Sequence, residues 1–106
     1  MRKIIRKSFQ SKGENIHLEL ENEKIIAKIV YIPGSFNEFL YTLVISYKET
    51  EKVEKHILGC FNMVKAKYLL GEIIIKEDSI KVVPIKRRTL VYNLDESDIR
   101  EYCYLL

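Results

Sequence analysis

The clearest candidates for chemistry in this 106-residue chain are His56 and Cys60, which stand four positions apart. If the segment is helical, that spacing sets an imidazole and a thiol on one face, one turn from each other. As metal ligands they make half a site. Zinc takes three or four such groups, and the remaining candidates, His17 and Cys103, are distant in sequence and have no ligating neighbour at metal-site spacing. No metal and no cofactor are expected. As a nucleophile, Cys60 would have to be a thiolate held by a base such as His56. Its place in the middle of an amphipathic segment suits a small packed hydrophobe better.

Other catalytic sets are weaker. The carboxylate pairs Glu21 with Glu23, Glu77 with Asp78 and Asp95 with Glu96 fall where turns and helix caps are expected. Gly13, Gly34, Gly59 and Gly71 are scattered singly, so there is no glycine-rich phosphate loop. The inventory favours binding over catalysis.

Basic residues carry the first functional reading. Residues 1–12 contain Arg2, Lys3, Arg6, Lys7 and Lys12 and no acid, and Lys86, Arg87 and Arg88 form a second basic step. Cations neutralise phosphates or carboxylates, and aromatic faces such as those of Phe9 and Tyr92 stack on bases. The expected binding residues are therefore Arg2, Lys3, Arg6, Lys7, Lys86, Arg87, Arg88 and Tyr92, with an acidic macromolecule or a nucleic acid as partner. Against this, the net charge is only +3, and no RNP-like signature or recognition helix is present. The acidic stretch 95–106, with Asp95, Glu96, Asp98 and Glu101 against Arg100 alone, could instead attract the basic arm of its own or another chain.

The second reading is a protein-binding inhibitor or adaptor of the kind that accompanies mobile elements. Its basis is seven tyrosines without a tryptophan, among them Tyr41, Tyr47, Tyr102 and Tyr104, and strands apolar enough to need a covered edge. A homo-oligomer would cover such an edge. The third reading is a small enzyme using His56 and Cys60. No apolar run reaches the roughly 18 residues of a membrane span, and Arg2 and Lys3 lead into no apolar signal region. A cytoplasmic protein with reduced cysteines is expected.

The elements that must position these residues point to a single α+β domain over 1–106, with a largely antiparallel sheet of five to eight strands. Strands are expected over 3–10, 16–21, 25–32, 72–76, 80–83 and 89–93. In 16–21, Ile16, Leu18 and Leu20 alternate with His17, Glu19 and Glu21, as in a half-buried strand. Residues 25–32 are apolar on both faces except at Lys28, which suggests a central strand covered on each side until Pro33 and Gly34 stop it.

Residues 35–48 fit either a helical stripe or a short turn followed by a strand over 40–48, and the strand is preferred for its β-branched and aromatic content. The main helix is expected over about 51–70. Val53, Ile57, Phe61, Val64 and Tyr68 would lie along its apolar stripe, with Thr50 as cap and Gly71 as a left-handed stop. If 40–48 is a strand, however, 53–58 could be its return strand, leaving a helix only over about 60–70. A short C-terminal helix is expected over about 96–104, with Asp95 as cap and Leu94 against Ile99 as a staple.

Overall fold

A computed structural model describes residues 4–7, 10–11, 14–85 and 100–106. The chain divides into two compact units, Met1–Phe61 and Asn62–Leu106. The class is α+β, strongly weighted to antiparallel sheet.

In the first unit a six-stranded sheet comprises β1 (Ile4–Lys7), β2 (Gln10–Ser11), β3 (Glu14–Glu21), β4 (Ile25–Pro33), β5 (Glu38–Tyr47) and β6 (Val53–Asn62). Its order is β1-β3-β4-β5-β6, with β2 also paired to β3. Of the strand expected over 3–10, Ile4–Lys7 is β1 and Gln10 opens β2, while residues 3, 8 and 9 lie outside the described residues. The preferred strand over 40–48 is present, and 35–38 is a reverse turn closed by the Glu38 amide on the Ser35 carbonyl at 3.0 Å.

β4 is central, as its apolar content implies. Ile25, Ala27 and Ile29 are buried, with Tyr47, Ile45 and Leu43 of β5 as their register partners. The cover is one-sided, however. Ile26, Lys28 and Val30 are only half-buried, and Ile32 is 56% exposed. The alternation expected in β3 is broken by a register shift between Ile16 and Leu18, so that Ile16, Glu19 and Leu20 are all buried.

Two turns hold this sheet to its register. Asn22 accepts from the amides of Lys24 and Ile25 through its side-chain oxygen, each at 2.9 Å, which closes the β3–β4 turn. At the β5–β6 turn, the Glu51 amide donates to the Tyr47 carbonyl at 2.8 Å, with Glu51 in the left-handed region at φ 60°.

The helix expected over about 51–70 is corrected by that turn, and the alternative of a return strand over 53–58 with a helix only over about 60–70 is the one present. Residues 53–62 run back beside β5 as a strand, and the helix is confined to α1 (Met63–Leu69). β5 offers a full line of backbone hydrogen-bonding groups, and a return strand satisfies it where a helix would not. The supposed stripe is accordingly not a buried one, with Val53, Ile57 and Val64 all exposed.

In the second unit, Asn62 caps α1 by accepting from the Lys65 amide at 2.7 Å. The helix ends at Leu70, and Gly71 is not in the left-handed region expected of it. A three-stranded sheet follows, in the order β7 (Glu72–Ile75), β8 (Ser79–Val83) and β9 (Tyr102–Leu105). The β7–β8 hairpin matches expectation, pairing Ile73 with Val82 and Ile75 with Ile80. The C-terminal helix expected over about 96–104 is corrected where the chain is described. Tyr102–Leu105 pair with β8, a pleated setting that suits alternating aromatics. The start of that helix and the strand over 89–93 lie outside the described residues.

The first unit's core centres on Tyr41, which is 1% exposed. Burial, and secondarily the neighbouring Tyr31, pushes its phenol pKa up to about 12. An unfolded tyrosine titrates near ~10. Between those values the folded chain keeps a proton that the unfolded chain has released, so stability present at lower pH is lost as pH rises. The slope for this group is at most about 1.4 kcal/mol per pH unit. Denaturant midpoints at pH values of about 9 and 11 should differ, and Tyr41→Phe should lessen the difference; an unchanged slope in that variant would contradict burial of the phenol as a cause.

Candidate binding surface

Arg2, Lys3, Lys86, Arg87, Arg88 and Tyr92 lie outside the described residues. Arg6 and Lys7 occupy β1, where their register partners are Glu19 and Leu18. Glu19 is also the register partner of Lys28, so along the ladder it stands between two basic positions. Glu19 itself is only 8% exposed.

His56 and Cys60 are not brought together. Both are in β6, where four residues span about 13 Å instead of one helical turn. Gly59 between them takes φ 142°, after which Cys60 is exposed while the Phe61 ring lies 6.1 Å from that of Tyr41. His56 instead faces Glu54, with its Nε2 3.6 Å from the carboxylate. The same carboxylate accepts from the Tyr47 hydroxyl at 3.3 Å and lies 3.7 Å from the Lys52 ammonium. Burial, and then the adjacent Glu54, raises the Tyr47 pKa. This cluster ties the two strands of the hairpin together. Among the described residues there is no group of three or more side chains able to hold a metal ion.

Four of the described aromatic rings, those of Tyr31, Phe39, Tyr41 and Phe61, are engaged with one another. His17 and Tyr31 approach Tyr41 at 5.5 and 5.3 Å, and Phe39 meets Tyr31 edge-on at 5.4 Å. Rings packed in this way offer little face to a stacking base. Phe36 differs entirely. It lies in the β4–β5 turn, is fully exposed, and has φ 56°. That conformation costs a side-chain-bearing residue roughly 1–2 kcal/mol, and Gly or Asn would relieve it.

A groove of about 330 Å³ lies on the first sheet, lined by Val30, Val44 and Val53 together with Thr42, Ser46, Lys28, Lys55 and Glu14. Its polar groups are unevenly matched. Lys28 is paired with Glu14 at 2.7 Å, whereas Lys55 has no ion pair among the described residues. Two further acids of the first unit are matched locally, Glu21 by Lys48 at 2.5 Å and Glu54 by Lys52. Sequence reasoning missed this surface because its residues come from four strands and meet only through the register. The signal available was the alternation of Val53, Lys55 and Ile57, which reads as one face of a strand.

No helix among the described residues is long and apolar enough to cross a membrane. Comparison with known proteins finds no matching family model, no matching curated protein and no matching solved structure.

Proposed function

We propose that the chain is a non-enzymatic binding protein that contacts an acidic macromolecule, protein or nucleic acid, through its basic N-terminal arm and the Lys86–Arg88 segment. The observation that carries this reading is the segregation of charge, with five cations and no acid in residues 1–12. The local pairing of Glu14, Glu21 and Glu54 with Lys28, Lys48 and Lys52 supports it, because these acids are already satisfied by lysines of their own unit. The separation of His56 from Cys60 along β6 removes the proximity on which the enzymatic alternative rested.

The test combines Arg87→Ala with Arg88→Ala and compares binding of the wild-type and variant chains to poly-glutamate and to random single-stranded oligonucleotides. Losing two phosphate or carboxylate contacts should weaken binding to the preferred polyanion by about tenfold or more at moderate salt. Equal binding by the two proteins would refute the role given to this segment.

A further inference from the structure

We infer that the groove on the first sheet is an interface between two copies of this chain, each seating its β4–β5 hairpin tip in the groove of the other. The two surfaces are complementary in charge. Between Ile29 and Leu43 the sole charged residue is Glu38, so the tip presents Ile32, Pro33 and Phe36 with one acid beside them. The groove presents Val30, Val44 and Val53 beside Thr42, Ser46 and the Lys28–Glu14 pair, with Lys55 as its cation without an ion pair among the described residues. Glu38 likewise has no ion pair among the described residues. A largely apolar prong carrying one acid therefore meets a mixed valine and polar trough carrying one cation with no ion pair among the described residues.

Placement favours a second copy as the occupant. Val30 lines the groove, and Ile32, two residues further along β4, belongs to the same face of the sheet. That face continues into Val53 and Ile57 of β6, which are 52% and 69% exposed. Six residues of extended chain, about 20 Å, separate Lys28 at the groove from the tip at Gly34. Two hairpins laid face to face and antiparallel could place each tip over the other's groove. This is an isologous, closed contact in which every Glu38–Lys55 pair forms twice. The strained Phe36 backbone then has a purpose, since the ring occupies a pocket in the pair and none in the isolated chain. A nucleic acid suits the groove poorly, because no aromatic ring lines it to stack on a base.

This inference stands apart from the acidic-partner reading and is tested with no polyanion present. Sedimentation analysis of the full chain at about 100 µM should find mainly dimers if the dissociation constant is about 10 µM or tighter. Glu38→Lys and Lys55→Glu should each weaken self-association by more than about tenfold through like-charge contact, and the combined variant should restore the dimer. Phe36→Ala should also give monomers, with an unchanged circular dichroism spectrum because the ring touches nothing in the single chain. This variant keeps the test open if a charge reversal disturbs folding. A monomeric wild type, dimers that survive Phe36→Ala, or folded charge-reversed variants whose combination does not restore pairing would each overturn the inference.

Discussion

Tyr41→Ala is expected to destabilise the first unit by about 3–5 kcal/mol, a large share of the roughly 5–15 kcal/mol that holds a small domain together. The ring is 1% exposed and is the centre on which His17, Tyr31 and Phe61 converge at 5.5, 5.3 and 6.1 Å. These neighbours come from β3, β4 and β6, so removing the ring opens a cavity bordered by three strands that cannot all close in at once. Tyr31 is also its register partner, and a cross-strand aromatic pair adds to the loss. Urea titration followed by far-ultraviolet circular dichroism should show a much lower midpoint, or an unfolded chain without denaturant. A loss below about 1 kcal/mol would mean that Tyr41 is not a core residue.

Gly71→Ala should destabilise the second unit by about 1–3 kcal/mol, and the cause is a close approach of backbone to backbone. A β-carbon at Gly71 would lie 2.9 Å from the Ile85 amide nitrogen and would strike the Ile85 side chain as well. The Ile85 backbone has little room to retreat. Its amide donates to the Tyr68 carbonyl at 2.8 Å, and the Gly71 amide donates to the Val83 carbonyl at 3.0 Å. Shifting either segment gives up a hydrogen bond that joins the helix end to the strand. Had Gly71 been a left-handed cap, alanine would act through local backbone strain; here Ile85→Ala should recover part of the loss by removing the struck side chain. Recovery in that double variant separates the two causes, and a neutral Gly71→Ala would contradict both.

The strands and hairpins were legible in the sequence where the signal was local. β3, β4 and the β7–β8 hairpin follow from runs of apolar residues bounded by Asn22, by Pro33 with Gly34, and by Glu77 with Asp78. The stripe expected of a main helix is ambiguous because a spacing of four serves both periods. Val53 and Ile57 share a face in a helix and also in a strand, as do positions 56 and 60 until Gly59 intervenes. What decides between them is the unsatisfied edge of β5, a demand that enters the sequence reading only as the alternative in which 40–48 is a strand and 53–58 its return. Tyr102–Leu105 were misread similarly, since the signals around Asp95 say how a helix could begin and nothing about β8 as a pairing partner. The groove was invisible for a related reason: Lys28, Val44 and Lys55 become neighbours only through the β4–β5–β6 ladder. Glu19 was read as solvent-facing from alternation, and it is buried because the β3 register shifts before it.

The central claim, binding to an acidic partner through exposed cations, is tested most directly by the salt dependence of affinity. Fluorescence anisotropy of labelled poly-glutamate and of a random single-stranded oligonucleotide, titrated with the full chain across a range of sodium chloride concentrations, reads it. The account predicts that for at least one of the two the logarithm of the binding constant falls linearly with the logarithm of salt. The slope should lessen by about 1 to 2 when Arg87→Ala and Arg88→Ala are combined. Absence of binding to either polyanion at low salt, or an affinity indifferent to salt, would contradict it.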